Sequence, residues 1–252
     1  MISLGDYIVK IAKGISGRIT FLGTGPSEPI TDRSGKSNRN NSSLLITYKG
    51  KKYLIDIPPD FDEKNTFDYL LITHMHKDAF FGFKKIQKRK FVFGMPPNWD
   101  KKIPDKKETW TKEDIRIDRI NDFGDLKITP FEVVHDIVKK FTTFGYRITL
   151  KNGFVIVYTS DMLSIPEKSE QYFEKVDLLI TDGKGWNANF PTHFGMWPFL
   201  ELVREKKWDI KKIYFTQIGQ SVPDHEIAQK EITNRFKDLK AYLAYDGLEL
   251  SI

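Results

Sequence analysis

The chain has 252 residues, 40% of them hydrophobic and 13% aromatic, enough apolar material for a sizeable folded core, and nothing in it suggests disorder. Its 40 basic and 34 acidic residues leave a net charge of +6, a bias toward anionic ligands such as phosphate esters or nucleic acid that lysine-rich surfaces also carry for solubility alone. The absence of cysteine excludes disulfides and thiolate metal sites, so any metal must be held by nitrogen and oxygen.

Residues Met1 to Ser16 include Asp6 and lack the charged start, long apolar stretch and small-residue cleavage site of a secretory signal. No later run approaches membrane-spanning length. The expected compartment is the cytoplasm, with no membrane partner. In chain order, Arg18 to Leu22 reads as a strand entering the turn Gly23-Thr24-Gly25-Pro26. Ser43 to Tyr48 and Lys52 to Ile57 read as two strands joined across Lys49-Gly50-Lys51, with apolar residues alternating around a glycine. A third run, Phe67 to Ile72, is followed by a predicted helix over Phe80 to Lys88, a short strand Phe91 to Phe93, and the Pro96-Pro97 break. Met95 to Ile120 reads as loops with at most one short element.

Leu126 to Val134 and Gly145 to Leu150 are predicted strands, and Phe154 to Thr159 pairs with the second across Lys151-Asn152-Gly153. Pro166 to Glu174 is predicted helical, Val176 to Ile180 a buried strand, and Trp197 to Lys206 an amphipathic helix with Phe199, Leu202 and Val203 on one face. Ile213 to Phe215 is a strand, Asp224 to Phe236 a helix opened by Asp224, and Ala241 to Ala244 and Leu248 to Ile252 close the chain. With no repeat, linker or low-complexity tract, strands flanked by helices in both halves predict a single layered α/β domain over residues 1–252.

The chemistry gathers where apolar runs end. Thr73-His74-Met75-His76-Lys77-Asp78 follows Tyr69-Leu70-Leu71-Ile72, bunching two imidazoles and a carboxylate beyond a buried strand. Alternate strand positions point the same way, so residues 74, 76 and 78 can converge on one ion. Neutral imidazole and carboxylate suit zinc, manganese or iron. The alternative is a polar strand end with solvated histidines. The other histidines are His135 after Phe131-Glu132-Val133-Val134, His193 after a Trp-Asn-Ala-Asn-Phe-Pro-Thr loop, and His225 at a helix start; Asp161 again closes a strand, in Tyr158-Thr159-Ser160-Asp161. Ligands on the ends of several strands are how a sheet protein builds a site that loops can cover. The basic runs Lys84-Lys85, Lys88-Arg89-Lys90, Lys101-Lys102, Lys106-Lys107 and Lys139-Lys140 have no recognisable binding module around them and read as solvated surface ahead of a nucleic-acid patch.

Gly23-Thr24-Gly25, Asp56, Thr73-His74-Met75-His76-Lys77-Asp78, His135 and Ser160-Asp161, in this order, resemble the metallo-β-lactamase superfamily of metal-dependent hydrolases from about Phe21 to Asp246. Asn40-Asn41-Ser42-Ser43-Leu44-Leu45-Ile46, Gly145-Tyr146-Arg147-Ile148, Asp182-Gly183 before His193, Asp224-His225-Glu226 and Tyr245-Asp246-Gly247-Leu248 look like the branch of PhnP-like cyclic-phosphate phosphodiesterases, with similarity also to the tRNA 3′-end nucleases. The resemblance implies a four-layer αβ/βα sandwich of two mixed sheets with outer helices and a metal centre along one edge. It implies His74, His76 and His135 on a first ion, Asp161 as a bridge and Asp78 on a second ion. Two departures remove imidazoles from the second site: Ala79 follows Asp78, and Gln217 stands in Thr216-Gln217-Ile218-Gly219-Gln220. What remains is weak for zinc and less so for a hard ion such as manganese or magnesium. The expectation is one tightly bound divalent ion, zinc or manganese, with a second binding weakly or only alongside a phosphate substrate. With no cysteine, the extra cysteine-bound zinc of PhnP-type enzymes is absent.

One ion suffices for hydrolysis, since it lowers the pKa of its water from about 15.7 to roughly 7 and so supplies hydroxide. Asp78 is then a candidate to aim that water, and His193, which resembles the family histidine facing the substrate phosphate, a candidate general acid. The alternative for His193 is a loop histidine bonded to backbone. His225 beside Asp224 reads as a helix-start residue ahead of a metal ligand. Gly23-Thr24-Gly25-Pro26 lacks the Gly-Lys-Ser/Thr of a phosphate loop and reads as a turn beneath the site. Asp56 is expected to hydrogen-bond the histidine loop. Trp186, Phe194 and Trp197 either wall a pocket or simply pack. The leading expectation is a phosphodiesterase for a small cyclic phosphate or a nucleotide-like phosphate ester. The rivals are an RNA or DNA nuclease, with nucleic acid as the less favoured partner, and a pseudoenzyme that serves as a binding protein. The sequence leaves the oligomeric state open, a homodimer included.

Overall fold

Alternation decides which way each strand faces. In the computed structural model, which describes residues 17–86, 91–94, 110–113, 117–135 and 142–252, two seven-stranded sheets carry that alternation. The first contains β1 (Gly17–Gly23), β2 (Ser43–Tyr48), β3 (Lys51–Ile55), β4 (Tyr69–Leu71), β5 (Phe91–Gly94), β6 (Trp110–Glu113) and β14 (Glu249–Ser251), in the order β14-β1-β2-β3-β4-β5-β6. The second contains β7 (Asn121–Asp122), β8 (Leu126–Val133), β9 (Thr143–Leu150), β10 (Val155–Thr159), β11 (Leu178–Asp182), β12 (Ile213–Thr216) and β13 (Ala241–Leu243), in the order β13-β12-β11-β10-β9-β8-β7. Both sheets are mixed: β14 to β3 pair antiparallel and β3 to β6 parallel, and likewise β7 to β10 antiparallel and β10 to β13 parallel.

Leu44, Ile46 and Tyr48 of β2 face Ile128, Tyr146, Ile148, Ile156 and Ile180 across the space between the sheets. The intervening Leu45, with Leu54 and Leu70, turns to the outer side, against Phe83 and Ile86. On the far side of the second sheet Val157, Leu179, Ile213 and Phe215 pack on helices α3 (Met196–Lys206) and α4 (His225–Arg235). Three cores therefore separate four layers, the expected αβ/βα sandwich. A one-residue slip of β2 would exchange its inner and outer side chains, so the pattern pins the register.

Turns and helices refine the expectations. The β2–β3 loop is two residues, Lys49 and Gly50, at φ 47° and 81°, the type I′ turn whose twist suits a hairpin. Between β9 and β10 the loop is longer: Leu150 N–H bonds Phe154 O at 2.9 Å and Gly153, at φ 88°, takes the left-handed position of a three-residue loop. The helix expected over Phe80 to Lys88 is instead one α-turn, α1 (Lys77–Phe80), followed by a 3-10 turn Phe81–Ile86; Gln87 and Lys88 lie outside the described residues. A Cβ on Gly82 would lie 2.2 Å from Pro58 O, so this turn is pressed against the backbone after β3. The segment expected helical from Pro166 likewise divides into α2 (Glu167–Glu170) and a 3-10 turn Gln171–Phe173. In α3 the buried residues are Met196, Phe199, Leu200 and Val203, the true i, i+3, i+4, i+7 stripe, so Leu200 and not Leu202 takes the core position. β11 begins at Leu178, two residues later than expected, because Val176 forms only an isolated bridge to Ile210. Strand β7 was not expected from the sequence; its two residues offer no alternation to see. Within the Met95 to Ile120 region, β6 is the one described strand; Lys88-Arg89-Lys90, Pro96-Pro97, Lys101-Lys102, Lys106-Lys107 and Lys139-Lys140 lie outside the described residues. No described helix is long and apolar enough to cross a membrane.

Candidate metal centre

The pairing directions explain why the polar residues meet. Strands β3 and β4 run together, as do β10, β11 and β12, and β8 shares their direction because two antiparallel steps separate it from β10. Asp56 follows β3, His74, His76 and Asp78 follow β4, His135 follows β8, Asp161 follows β10, Asp182 ends β11 and Gln217 follows β12. All of these are C-terminal strand ends.

Four of these residues form one cluster. His74 Nε2 and His135 Nε2 each lie 3.5 Å from Asp161 Oδ2, and His135 Nε2 lies 3.0 Å from His76 Nδ1. One donor atom from each of His74, His76, His135 and Asp161 lies within 4.8 Å of all the others. The outer nitrogens are already tied. His74 Nδ1–H donates to Thr73 Oγ1 at 2.9 Å, and Thr73 Oγ1–H donates in turn to Asp56 at 2.8 Å. His135 Nδ1–H donates to the Thr192 carbonyl at 2.8 Å. These bonds fix the tautomers and turn the Nε2 lone pairs of both rings inward.

Imidazole lone pairs brought this close repel unless a positive charge lies between them. Tetrahedral bonds of about 2.0–2.1 Å give donor–donor edges of about 3.3 Å, and the three closest separations here, 3.0, 3.5 and 3.5 Å, bracket that value. Three neutral nitrogens and one carboxylate oxygen also match a borderline divalent ion chemically. The residues therefore fit a metal. Burial opposes charge on Asp161, but His74, with His135 and His193, overrides it and holds the carboxyl well below its ordinary range. Burial likewise disfavours the His74 cation, yet Asp161, Asp78 and Asp56 raise that ring to about 9. Burial lowers His135. A proton and a metal ion compete for the same lone pairs.

Asp78, the other acid expected at the centre, is buried beside the cluster but lies outside the four-donor group. Burial and the charge of Asp161 raise its pKa, and its Oδ1 has no hydrogen-bond partner among the described residues. Ala79 is buried and carries only a methyl group here. Gln217 Nε2 donates to Ser160 Oγ at 3.2 Å, and Ser160 Oγ–H donates to Asp161 Oδ1 at 3.1 Å.

His193 reaches the same edge. Its Nε2 lies 4.0 Å from Asp161 Oδ2, and its Nδ1–H donates to Asp182 Oδ2 at 2.7 Å. Burial opposes protonation, but Asp182 first and Asp161 second raise the ring to about 9, making it an imidazolium near neutrality. Asp182 is held in turn by the N–H groups of Met162 and Lys184, each at 2.8 Å. Neither Asp182 nor Ser160 was assigned a role from the sequence; the available signal was an aspartate closing the strand Leu178-Leu179-Ile180-Thr181.

The remaining candidates are placed as follows. Asp56, at φ 60°, accepts both the N–H and the hydroxyl of Thr73, and burial pushes its carboxyl up to about 7. Gly23 lies under the site, where a Cβ would meet Asn41 O at 2.0 Å, a structural approach and not a phosphate loop. Asp224 takes the N-cap position without a side-chain bond; Ser37 Oγ accepts the His225 N–H at 2.9 Å instead. Trp186, Phe194 and Trp197 pack against the core under α3.

Among solved structures, a diphosphatase from the PhnP family superposes with a TM-score of 0.74 at 24% identity, covering 94% of this chain and 98% of that one. The metallo-β-lactamase-fold protein YhfI from Bacillus subtilis gives 0.76 at 16% identity over 94% and 99%. The short form of human tRNase Z gives 0.68 at 16% over 93% and 99%. At these identities the likeness is one of fold. No functionally curated protein matches the sequence significantly. Residues 53–215 match the β-lactamase superfamily domain, and with this fold and this His/Asp edge the chain belongs to that family, the metallo-β-lactamase-fold hydrolases.

Proposed function

We propose that this hydrolase is a one-metal phosphodiesterase of the PhnP-like branch, a single domain over residues 1–252 that acts in the cytoplasm on a small cyclic phosphate or a nucleotide-like phosphate ester. The observation that carries the reading is His193, held by Asp182 through Nδ1 with its Nε2 4.0 Å from the carboxylate of a four-donor cluster. An oxyanion substrate wants both partners. One neighbour in fold is a diphosphatase, which brings phosphoric anhydrides within the same substrate class.

His74, His76, His135 and Asp161 would hold the ion, zinc or manganese. When bound, it supplies Lewis acidity and a nucleophile drawn from water near neutral pH. Asp78, its pKa raised by burial and by Asp161, accepts a hydrogen bond from the attacking water and aims it in line. His193, held by Asp182, binds a phosphoryl oxygen and gives its Nε2 proton to the leaving oxygen. Lys184 adds positive charge beside His193, with its stem laid over Gly219, where a Cβ would come 3.3 Å from Lys184 Cδ.

Metal analysis combined with an assay on bis-p-nitrophenyl phosphate and on a 2′,3′-cyclic nucleotide tests the reading. The expected result is bound metal and turnover that a chelator abolishes. Metal-free, inert protein would overturn it in favour of a binding protein, and RNA cleaved faster than either ester would move the assignment to a nuclease.

A further inference from the structure

The corner of the site beside Asp78 is filled by the protein itself. Gln217 sits at φ 54°, a left-handed conformation that a non-glycine residue adopts only when its surroundings hold it there. Ser42 holds it there: its hydroxyl accepts the Gln217 N–H at 3.0 Å and shares a 2.6 Å hydrogen bond with Thr216 Oγ1. This turn buries the carboxamide, where an unpaired polar group would be expensive.

The carboxamide is used as a donor. One N–H goes to Ser160 Oγ at 3.2 Å, and Ser160 passes its own proton to Asp161 Oδ1 at 3.1 Å. The same side chain, lying near Asp78, opposes the rise in that carboxyl's pKa that burial and Asp161 cause. Of the two buried acids, Asp161 is thus met on Oδ1 by a hydroxyl that an amide N–H backs, while Asp78 Oδ1 has no hydrogen-bond partner among the described residues. Asp161 keeps only Oδ2 for the histidine cluster, because Oδ1 is engaged.

We propose that the Gln217–Ser160 hydrogen-bond chain takes the place of a second cation: it caps Asp161 Oδ1 and fixes the centre at one ion per chain. The inference rests on the metal-dependent reading of this site. An amide nitrogen that donates its protons offers no lone pair to a metal, so an ion entering this corner must first break the chain.

The experiment is an ion count on the whole protein, stripped with chelator, titrated with manganese or zinc and followed by calorimetry and by elemental analysis after desalting. The wild type is expected to bind one ion, with any second binding weaker by at least about 100-fold, the upper range for disturbing groups that support metal ligands. Gln217→Glu keeps the shape but exchanges the donor for an acceptor, and is expected to raise the count to two. Gln217→His supplies a nitrogen lone pair at the same place and is the second variant. A count of one in both folded variants overturns the inference alone, while two tightly bound ions in the wild type overturn the inference and the one-metal part of the proposed function and leave metal-dependent hydrolysis intact. No ion in the wild type removes both. The wild-type count alone decides if neither variant folds.

Discussion

On one side of Asp161, His74, His76 and His135 bring nitrogens into the cluster, with closest separations of 3.0–3.5 Å and the outer N–H groups of His74 and His135 tied away. On the other side the same carboxylate meets Ser160, whose hydroxyl is backed by the Gln217 amide. The first corner is a set of acceptors whose electrostatics close only around a cation. The second is internally satisfied apart from Asp78 Oδ1. Polar groups in a low-dielectric interior must find partners, and the two corners differ in this: the first has the chemistry to recruit charge from solution, and the second is met by Ser160 and Gln217, which follow β10 and β12. Under the proposed function, a site asymmetric in this way would keep one ion position and leave Asp78 for proton handling.

The largest expected effect breaks the first corner. His76→Ala should empty the centre and reduce turnover on the order of 1000-fold or more, since both electrostatic stabilisation and the nucleophile are lost together. Elemental analysis and kcat on the same preparation check this; retained metal with retained rate would place the cation elsewhere. Next comes the imidazolium. Asp182→Asn removes the charge that keeps His193 protonated, and kcat should fall roughly 100-fold, the low end of what a general acid contributes. The loss should grow as the leaving group becomes more basic and shrink for p-nitrophenolate, while metal content stays unchanged. A uniform loss across leaving groups would make Asp182 a packing residue only. Smaller again is Thr73→Val, which keeps the shape but cuts the hydroxyl link from His74 to Asp56; metal affinity should drop about 10-fold by competition titration.

Much of the first corner was legible in the sequence, because each ligand candidate follows an apolar run whose strand direction carries it to one edge. His135 and Asp161 could be placed that way without knowing their partners. The second corner was not legible, and the reason is conformational. Gln217 reads as a missing imidazole in sequence; its donor role depends on a left-handed turn clamped by Ser42, 175 residues away. Asp182 is similar: an aspartate ending a buried strand gives no sign that His193 will fold back onto it. The α1 region failed for another local reason, since the close approach of Gly82 to Pro58 O interrupts a pattern that periodicity alone extends as helix.

The smallest effect lies away from both corners and separates stability from chemistry. His225, buried at the start of α4, takes a hydrogen bond from Arg39 through Nδ1 at 3.3 Å and packs on Tyr245 at 5.7 Å between ring centres. Lys36 lies 5.0 Å over the Tyr245 ring and pairs with Glu226 at 3.2 Å, so the charges facing His225 are Arg39 and Lys36 against Glu226. Burial, then Arg39, then Lys36, lower the ring from 6.5 to about 4. The unfolded chain therefore binds a proton more readily between these values, and the stability present above about pH 6.5 is lost as pH falls toward 4. One pKa unit corresponds to about 1.4 kcal/mol, and partial solvent access reduces the total to roughly 1–2 kcal/mol. Urea unfolding of the metal-free protein at pH 7 and 4.5 measures it. His225→Gln retains an acceptor for Arg39 without a titrating ring, so its loss over the same interval should be smaller by that amount. Equal losses in the two proteins would assign the acid sensitivity to His135, the first-corner histidine that burial lowers, which an added ion would then protect.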